Sequence, residues 1–214
     1  ADVRADEVVS AGTDGMRFRL RTPIGERTVS VPTLGSLSVH NATAAAAVGV
    51  AAGLGLDAIT TGLRAGWGAP HRVELVRLRT VTVIDDSYNA SPGSVLAALD
   101  VLAGLPGRPV AVLGEMLELG DEHEAGHHAV GESVAGTADL LVVVGHGARG
   151  IAEGAAAAGM DPARIHLVGD GEAALETLRP RLRDGDVVLV KASRGIELDR
   201  LVDALRLELG EAIA

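Results

Sequence analysis

Cysteine is absent from the 214-residue sequence, and Lys191 is its only lysine. Without cysteine there is neither a disulfide framework nor a thiolate metal site. Aromatic residues are equally scarce, since the sequence contains only Phe18, Trp67 and Tyr88. The hydrophobic core must therefore be built from Val, Leu, Ile and Ala.

Long apolar runs and a basic surface are lacking too. No stretch is long enough to span a bilayer and no signal peptide starts the chain, so we expect a cytoplasmic protein. The net charge of −10 argues against a nucleic-acid partner and against an anionic membrane. A hydrophobic content of 47% allows one large or two small domains. We expect a monomer.

The stretch 81–105 organises the rest of the chain. Its first four residues are all β-branched and mostly apolar, which predicts a short buried strand. A polar turn follows, then Ser91 at the position of a helix N-cap and Pro92 at the first helical position. In α/β folds, ligands bind beyond the carboxyl ends of the strands. The turn 85–89 is therefore a candidate binding site.

From residue 81 onward, strand and helix patterns alternate. The strands are predicted at 81–85, 109–113, 139–144, 164–168 and 186–191, and the helices at 92–104, 122–136, 148–158, 171–183 and 195–209. Several of the strands are continuously apolar, as strands covered on both faces should be. This predicts an α/β fold with an open, mostly parallel, Rossmann-like sheet and helices on both faces.

The first 70 residues have a different pattern. Alternating apolar residues on either side of a turn at 22–26 predict a β-hairpin with one apolar face. A helix of small residues is expected at 44–52, and a second helix at 58–65 capped by Asp57. A linker-like stretch at 66–70 precedes a predicted strand at 71–76, so we place a domain boundary near residue 70.

Two further strand ends carry polar residues. Glu115 follows the second strand, where a carboxylate could meet an ammonium group. Lys191 ends the fifth strand, and Ser193 and Arg194 follow at a helix N-terminus, which makes a credible anion site. For Glu118 and His127 we expect loop and helix-start roles. Histidines 123, 127 and 128 with Glu124 lack a tight metal spacing and predict a solvated helix face.

Four motifs together resemble those of the ATP-dependent Mur ligases. They are Asp-Asp-Ser-Tyr-Asn-Ala-x-Pro-x-Ser at 85–94, Gly-Glu-Met-x-Glu-Leu-Gly at 114–120, Lys-Ala-Ser-Arg at 191–194 and the segment around Asn41. The first two are similar to the members that add D-alanyl-D-alanine to the peptidoglycan precursor. The sequence departs from the family at Leu37, where His is common, and at His71, where Gly is usual.

The resemblance implies that ATP phosphorylates the carboxylate of UDP-MurNAc-tripeptide and that the amine of D-Ala-D-Ala attacks the acyl phosphate. Asn41 would contact the adenine, Asp86 the ribose and Arg72 the phosphates. Asp86 and Lys191 are the expected catalytic residues, and Lys191→Ala is expected to impair turnover without loss of the fold. The cleft for the dipeptide and the reacting centre would be lined by Tyr88, Asn89, Glu115, Lys191, Ser193 and Arg194.

Parts of the family's machinery are missing from this sequence: its phosphate-binding loop Gly-x-x-Gly-Lys-[Thr/Ser], its Mg²⁺ ligands, its modified lysine and its UDP-binding domain. We expect them upstream of Ala1. Residues 1–70 would then be the C-terminal part of the central ATP-binding domain and 71–214 the C-terminal domain. Because phosphoryl transfer depends on positioning and charge neutralisation, we expect no ligase activity from this chain alone.

Receiver domains and dinucleotide oxidoreductases share parts of this pattern. A receiver domain would also have an acidic pair after its first strand and a lysine after its last, but the third strand here ends in Val144-Gly145-His146, without a phosphoacceptor aspartate. A dinucleotide oxidoreductase lacks its phosphate-loop fingerprint. The alternative that stays open is a non-catalytic binding module, either a short paralogue or half of a split enzyme.

Overall fold

A computed structural model describes residues 2–212, and the chain divides into two units, Ala1–Gly68 and Ala69–Ala214. Between Asp2 and Ala212 it contains no helix that is long and apolar enough to cross a membrane. Each unit has its own buried hydrophobic cluster.

The first unit is a three-stranded antiparallel sheet with two helices. Its strands are β1 (Arg4–Ser10), β2 (Met16–Thr22) and β3 (Gly25–Val31), in the order β1-β2-β3, and its helices are α1 (Ser36–Ala51) and α2 (Leu56–Ala65). The predicted hairpin is present as β2 and β3, with Met16 opposite Val31. Phe18 and Leu20 are buried against Ile59 and Leu63, because alternate residues of a strand face the same side.

Two expectations for the first unit were wrong, and one of its strands was missed. Strand β1 was not predicted, because most of its side chains are exposed and a register shift after Asp6 interrupts its alternation. Helix α1 begins at Ser36 rather than near residue 44. Asp57 does not cap α2, whose N-cap is Gly55; it lies in the first turn and its Oδ1 accepts from Arg27 at 2.8 Å.

The second unit is a six-stranded sheet covered by helices. Its strands are β4 (Glu74–Arg77), β5 (Thr82–Asp85), β6 (Arg108–Gly114), β7 (Leu140–Val144), β8 (Ile165–Val168) and β9 (Asp186–Lys191). The order is β4-β5-β9-β6-β7-β8; β4 runs antiparallel to β5, and the other pairs are parallel. The strand predicted at 71–76 is present as β4, but its predicted start is wrong, since the strand begins only at Glu74.

Four helices connect the parallel strands, α3 (Pro92–Gly104), α4 (His123–Ala135), α5 (Arg149–Ala157) and α6 (Gly171–Leu178), and a fifth, α7 (Asp199–Leu209), follows β9. The predicted cap of α3 is present, since the Ser91 N–H donates to Ser94 Oγ at 2.9 Å and Pro92 is the first helical residue. Helices α6 and α7 are shorter than predicted, because α6 ends at Leu178 and α7 begins only after a short 3-10 turn.

The helices lie on both faces of this sheet, as the sequence predicts. One face buries Val110, Val112, Val188 and Val190 against α6 and α7, and α3 packs on β9 at the other face. The last strand, β9, lies between β5 and β6, so the chain passes from β5 through α3 to β6 and leaves a gap that β9 fills. In open α/β sheets the binding crevice forms at such a reversal of strand order.

Candidate active site

Three loops meet at the carboxyl ends of β5, β9 and β6. They are joined by backbone hydrogen bonds: the Asp86 N–H donates to Val190 O at 3.0 Å, and the Ser193 N–H donates to Glu115 O at 3.0 Å. The Leu117 N–H donates to Ser193 Oγ at 2.9 Å. The polar residues predicted at these strand ends, Asp86, Glu115, Lys191 and Ser193, are therefore brought together.

Lys191 and Asp86 form a buried ion pair at the centre of this junction. The Lys191 side chain is 2% exposed, and its Nζ donates to Asp86 Oδ2 at 2.6 Å and to Asn89 O at 2.8 Å. The other oxygen, Asp86 Oδ1, accepts from the Val73 N–H at 3.2 Å. Burial raises the pKa of the Asp86 carboxyl, and the Lys191 ammonium opposes that rise. The ammonium is thus already engaged by two groups of the loop after β5.

A second carboxylate, Asp85, is fully buried beside this pair. Its Oδ1 accepts from the Ser87 N–H at 3.2 Å and from Ser87 Oγ at 2.6 Å, and its Oδ2 accepts from His71 Nδ1 at 2.8 Å. This hydrogen bond raises the pKa of His71. The sequence does not predict these hydrogen bonds of Asp85. The Asp-x-Ser spacing indicates only the local turn, and nothing in the sequence links His71 to Asp85.

Tyr88 is exposed between two arginines. The guanidinium carbon of Arg72 lies 4.0 Å from the centre of the Tyr88 ring, and that of Arg194 lies 5.3 Å from it. Both distances fall within the range of cation–π attraction. The backbone supports this placement, since the Tyr88 N–H donates to His71 O at 3.1 Å. Two cations and an aromatic ring therefore form one exposed surface at the strand ends.

Glu115 lies on the loop after β6 and is partly exposed. Its Oε1 accepts from His123 Nε2 at 3.1 Å. The carboxylate also approaches Gly147 so closely that a Cβ at that position would clash with it. The glycine loop at 145–147, which by itself is a weak signal, therefore has a specific use: it leaves room for the Glu115 carboxylate.

His127 is completely buried in α4, so the predicted solvated helix face is wrong for this residue. Its Nε2 accepts from the Met116 N–H at 2.9 Å, and its Nδ1 lies 2.6 Å from His123 O. Burial lowers the pKa of His127.

A groove of about 540 Å³ beside His127 is lined by His128, His146 and Glu153, among others. Across residues 2–212, no three His, Asp or Glu side chains are grouped as metal ligands.

A comparison with protein families shows to which family the chain belongs. The family described as Mur ligase, glutamate ligase domain, matches residues 71–194. The chain belongs to the Mur ligase family. The resemblance found in the sequence motifs is therefore confirmed.

Individual Mur ligases are similar over most of the chain. The UDP-N-acetylmuramoyl-tripeptide–D-alanyl-D-alanine ligase of Mycobacterium tuberculosis H37Rv is 39% identical over 215 residues, covering 88% of this chain and 41% of that protein. The enzyme of the same name from Escherichia coli K12 is 38% identical over 203 residues, covering 93% of this chain and 43% of that protein. The chain thus spans less than half the length of these relatives.

Solved Mur ligases share the fold. MurF from Acinetobacter baumannii superposes with a TM-score of 0.87 at 32% identity, covering 97% of this chain and 46% of that one. The MurF ligase from Thermotoga maritima, solved in complex with ADP, superposes with a TM-score of 0.82 at 25% identity and covers 97% of this chain and 47% of that one.

Two residues singled out by the Mur ligase motifs lie in unexpected local settings. Asn41 lies within helix α1 of the first unit and is exposed; because the helix begins at Ser36, Asn41 is not at its N-terminus. Ser193 is buried, and its Oγ also lies 3.4 Å from Ala90 O. Ser193 therefore ties the loop after β9 to both neighbouring loops.

Proposed function

We propose that this chain is part of an ATP-dependent ligase that joins D-Ala-D-Ala to UDP-MurNAc-tripeptide through an acyl phosphate, in the synthesis of the peptidoglycan precursor. The observation that carries the proposal is the meeting of Asp86, Glu115, Lys191 and Ser193 at the strand-order reversal. They lie in a chain 39% identical to a ligase named for these two substrates. Peptide ligation needs anion-binding and amine-binding groups side by side, and this junction would supply both.

The nucleotide would be held by three residues. Arg72 presents an exposed guanidinium, which suits phosphate because its donors form a planar, permanently charged fork. Asp86 keeps acceptor capacity beyond its bonds to Lys191 and Val73, and a ribose hydroxyl can donate to it. In the first unit, the Asn41 amide has the donor and acceptor needed for the adenine edge. ATP supplies the phosphoryl group that activates the tripeptide carboxylate.

The dipeptide would meet the more exposed residues of the junction. Glu115 would accept from its ammonium group, and Arg194, Tyr88 and Asn89 would line the rest of the cleft. The catalytic role expected for Lys191 takes a particular form here, because its ammonium is buried beneath Asp86. Lys191 would act by keeping Asp86 ionised and in place, and Ser193 by fixing the loop that carries Arg194.

The remaining parts of the proposal concern the whole protein. Residues 1–70 would be the C-terminal part of the central ATP-binding domain and 71–214 the C-terminal domain of a cytoplasmic, monomeric ligase. Mg²⁺ would be required, with ligands upstream of this chain. The chain by itself would be inactive.

The proposal is tested by measuring D-Ala-D-Ala-dependent phosphate release from ATP in the presence of UDP-MurNAc-tripeptide. This chain is compared with a form extended upstream to its natural start. We expect activity only in the extended form, and omission of the dipeptide should abolish it. An inactive extended form would overturn the proposal. If this chain then still bound nucleotide or dipeptide, it would be a non-catalytic binding module.

A further inference from the structure

Two histidines one helical turn apart hold two successive residues of the loop after β6. His123 Nε2 lies 3.1 Å from the Glu115 carboxylate, and His127 Nε2 accepts from the Met116 N–H at 2.9 Å. The two rings lie side by side, with their centres 4.3 Å apart. The side chain of Glu115 and the backbone of the next residue are thus both anchored to the first turns of α4.

The hydrogen bonds of His127 fix its protonation state and tautomer. The Met116 N–H can only donate, so His127 Nε2 must be the unprotonated acceptor. The single ring proton then resides on Nδ1, which donates to His123 O at 2.6 Å. A second proton on Nε2 would point at the Met116 N–H and break the anchor. Only the neutral ring with its proton on Nδ1 satisfies both partners.

Helix α5 packs closely against the turn of α4 that carries His127. A Cβ on Gly150 would lie 3.0 Å from the His127 Cβ, and one on Gly154 would lie 3.0 Å from the carbonyl carbon of His128. The two helices therefore approach each other almost backbone to backbone along the turn that carries His127. His127 itself is fully buried.

We propose that His127 is a positioning residue that holds the Glu115 carboxylate in place for the amine of the incoming dipeptide. It acts through the backbone of Met116 and does not touch the substrate. This inference rests on the proposed function, because it takes Glu115 as the group that meets the dipeptide ammonium. A misplacement of about 1 Å is enough to weaken such a contact strongly.

The first test reads the state of the histidine directly. Nitrogen NMR of the His127 ring in this chain at neutral pH should show a neutral imidazole protonated at Nδ1, with a coupling or shift that links Nε2 to the Met116 amide. A ring protonated at Nε2, or a Met116 amide that exchanges with water as fast as an exposed one, would overturn the inference.

The second test separates positioning from packing in the extended enzyme. His127→Leu removes the acceptor and fills the space with an apolar side chain. Because it leaves the buried Met116 N–H unpaired, it should raise the KM for D-Ala-D-Ala roughly tenfold. The KM for ATP should stay within about twofold, because Glu115 does not hold the nucleotide. His127→Gln can place a carbonyl near the lost nitrogen and should recover most of the effect. An equal rise in both KM values would indicate a merely structural role.

Two further variants make the outcome unambiguous. His128→Leu changes a half-buried neighbour on the same helix and should leave both KM values unchanged. Glu115→Gln should itself raise the KM for the dipeptide. If it does not, the role of Glu115 in the proposed function fails, and the positioning role falls with it. If it does, while His127→Leu has no effect, only the positioning role of His127 is overturned. Should His127→Leu fail to fold, the ring NMR and His127→Gln still decide.

Discussion

Lys191 Nζ donates to Asp86 Oδ2 at 2.6 Å, although 105 residues separate the two along the chain. The pair joins the ends of β5 and β9 at the centre of the candidate site. A buried ion pair adds little net stability over an apolar pair, but removing one partner leaves an uncompensated buried charge. This asymmetry can be measured.

Breaking the Lys191–Asp86 pair should destabilise the chain. Lys191→Met leaves the Asp86 carboxylate without its cation, and we expect the free energy of unfolding to fall by about 3 kcal/mol. The double variant Lys191→Met with Asp86→Asn removes both charges and should recover a substantial part of that loss. Urea unfolding of the three proteins measures the coupling. A single variant as stable as the parent would show that the pair is not buried in solution.

A second ion pair, at the amino ends of the central strands β6 and β9, offers a matched control. Arg108 Nε donates to Asp186 Oδ1 at 2.8 Å, and Asp186 is buried at the start of β9. Arg108→Leu should therefore destabilise the chain to a similar degree. In the extended enzyme it should leave the KM values for ATP and dipeptide unchanged, whereas Asp86→Asn should raise the KM for ATP.

The His71–Asp85 hydrogen bond should make stability depend on pH. The pKa of His71 is raised in the folded chain, mainly by this bond, so the folded state binds the proton more tightly than the unfolded state. The contribution is fully present below about pH 6.5 and is lost as the pH rises through the folded-state value. The free energy of unfolding should decline over that range, and His71→Gln should abolish this part of the decline.

Two other histidines with shifted pKa values affect stability below this pH range and therefore do not interfere with the test. The pKa values of His127 and His166 are lowered, chiefly by burial, so these rings resist protonation in the folded state. Their effect is a loss of stability as the pH falls below about 6.5. A His71→Gln variant that kept the whole decline above that pH would contradict the assignment to His71.

The close contact of α4 and α5 should make Gly154 intolerant of substitution. A Cβ there would lie 3.0 Å from the His128 carbonyl carbon, which belongs to a rigid helix backbone. We expect Gly154→Ala to lower the free energy of unfolding by about 3 kcal/mol. Gly93 in α3 has open space around its Cβ position, so Gly93→Ala should be neutral or stabilise by about 0.5 kcal/mol. Equal effects in urea unfolding would argue against the backbone contact.

The Tyr88 ring should matter more than its hydroxyl. The Arg72 guanidinium lies 4.0 Å from the ring centre, and an exposed cation–π contact contributes about 0.5–1 kcal/mol. If Arg72 binds the nucleotide phosphates, Tyr88→Leu in the extended enzyme should raise the KM for ATP by roughly threefold, and Tyr88→Phe should not. A Tyr88→Phe variant as impaired as Tyr88→Leu would assign the effect to the hydroxyl group instead.

The sequence is most informative where one strong signal dominates. The sequence locates strands β6, β7 and β9 to within one residue at each end, because each contains an uninterrupted apolar run. The start of α3 followed from the Ser91 cap and Pro92, whose fixed backbone angle suits a first helical turn. The strand-end positions of Asp86, Glu115 and Lys191 followed from the same pattern, and the family resemblance added their expected roles.

What the sequence could not supply depends on contacts between distant segments. The pairing of Lys191 with Asp86 requires that β9 lie beside β5, and strand order has no local signature. The burial of His127 depends on α5, which approaches closely because of Gly150 and Gly154. Both findings change expectations: a buried Lys191 is not replaceable without loss of stability, and the histidines of α4 do not form one solvated face.

The central position of β9 has a consequence for how the second unit folds. Of the described strands, β9 is the last to be synthesised. It nevertheless lies between β5 and β6 and forms hydrogen bonds with both of them. Before β9 is synthesised, one edge of β5 and one edge of β6 lack a hydrogen-bonding partner. The contacts between β5 and β9 join residues that are about half the chain length apart in sequence. Such non-local closure is slow and leaves the nascent protein open to aggregation, so folding of this unit should wait for its final strand to leave the ribosome.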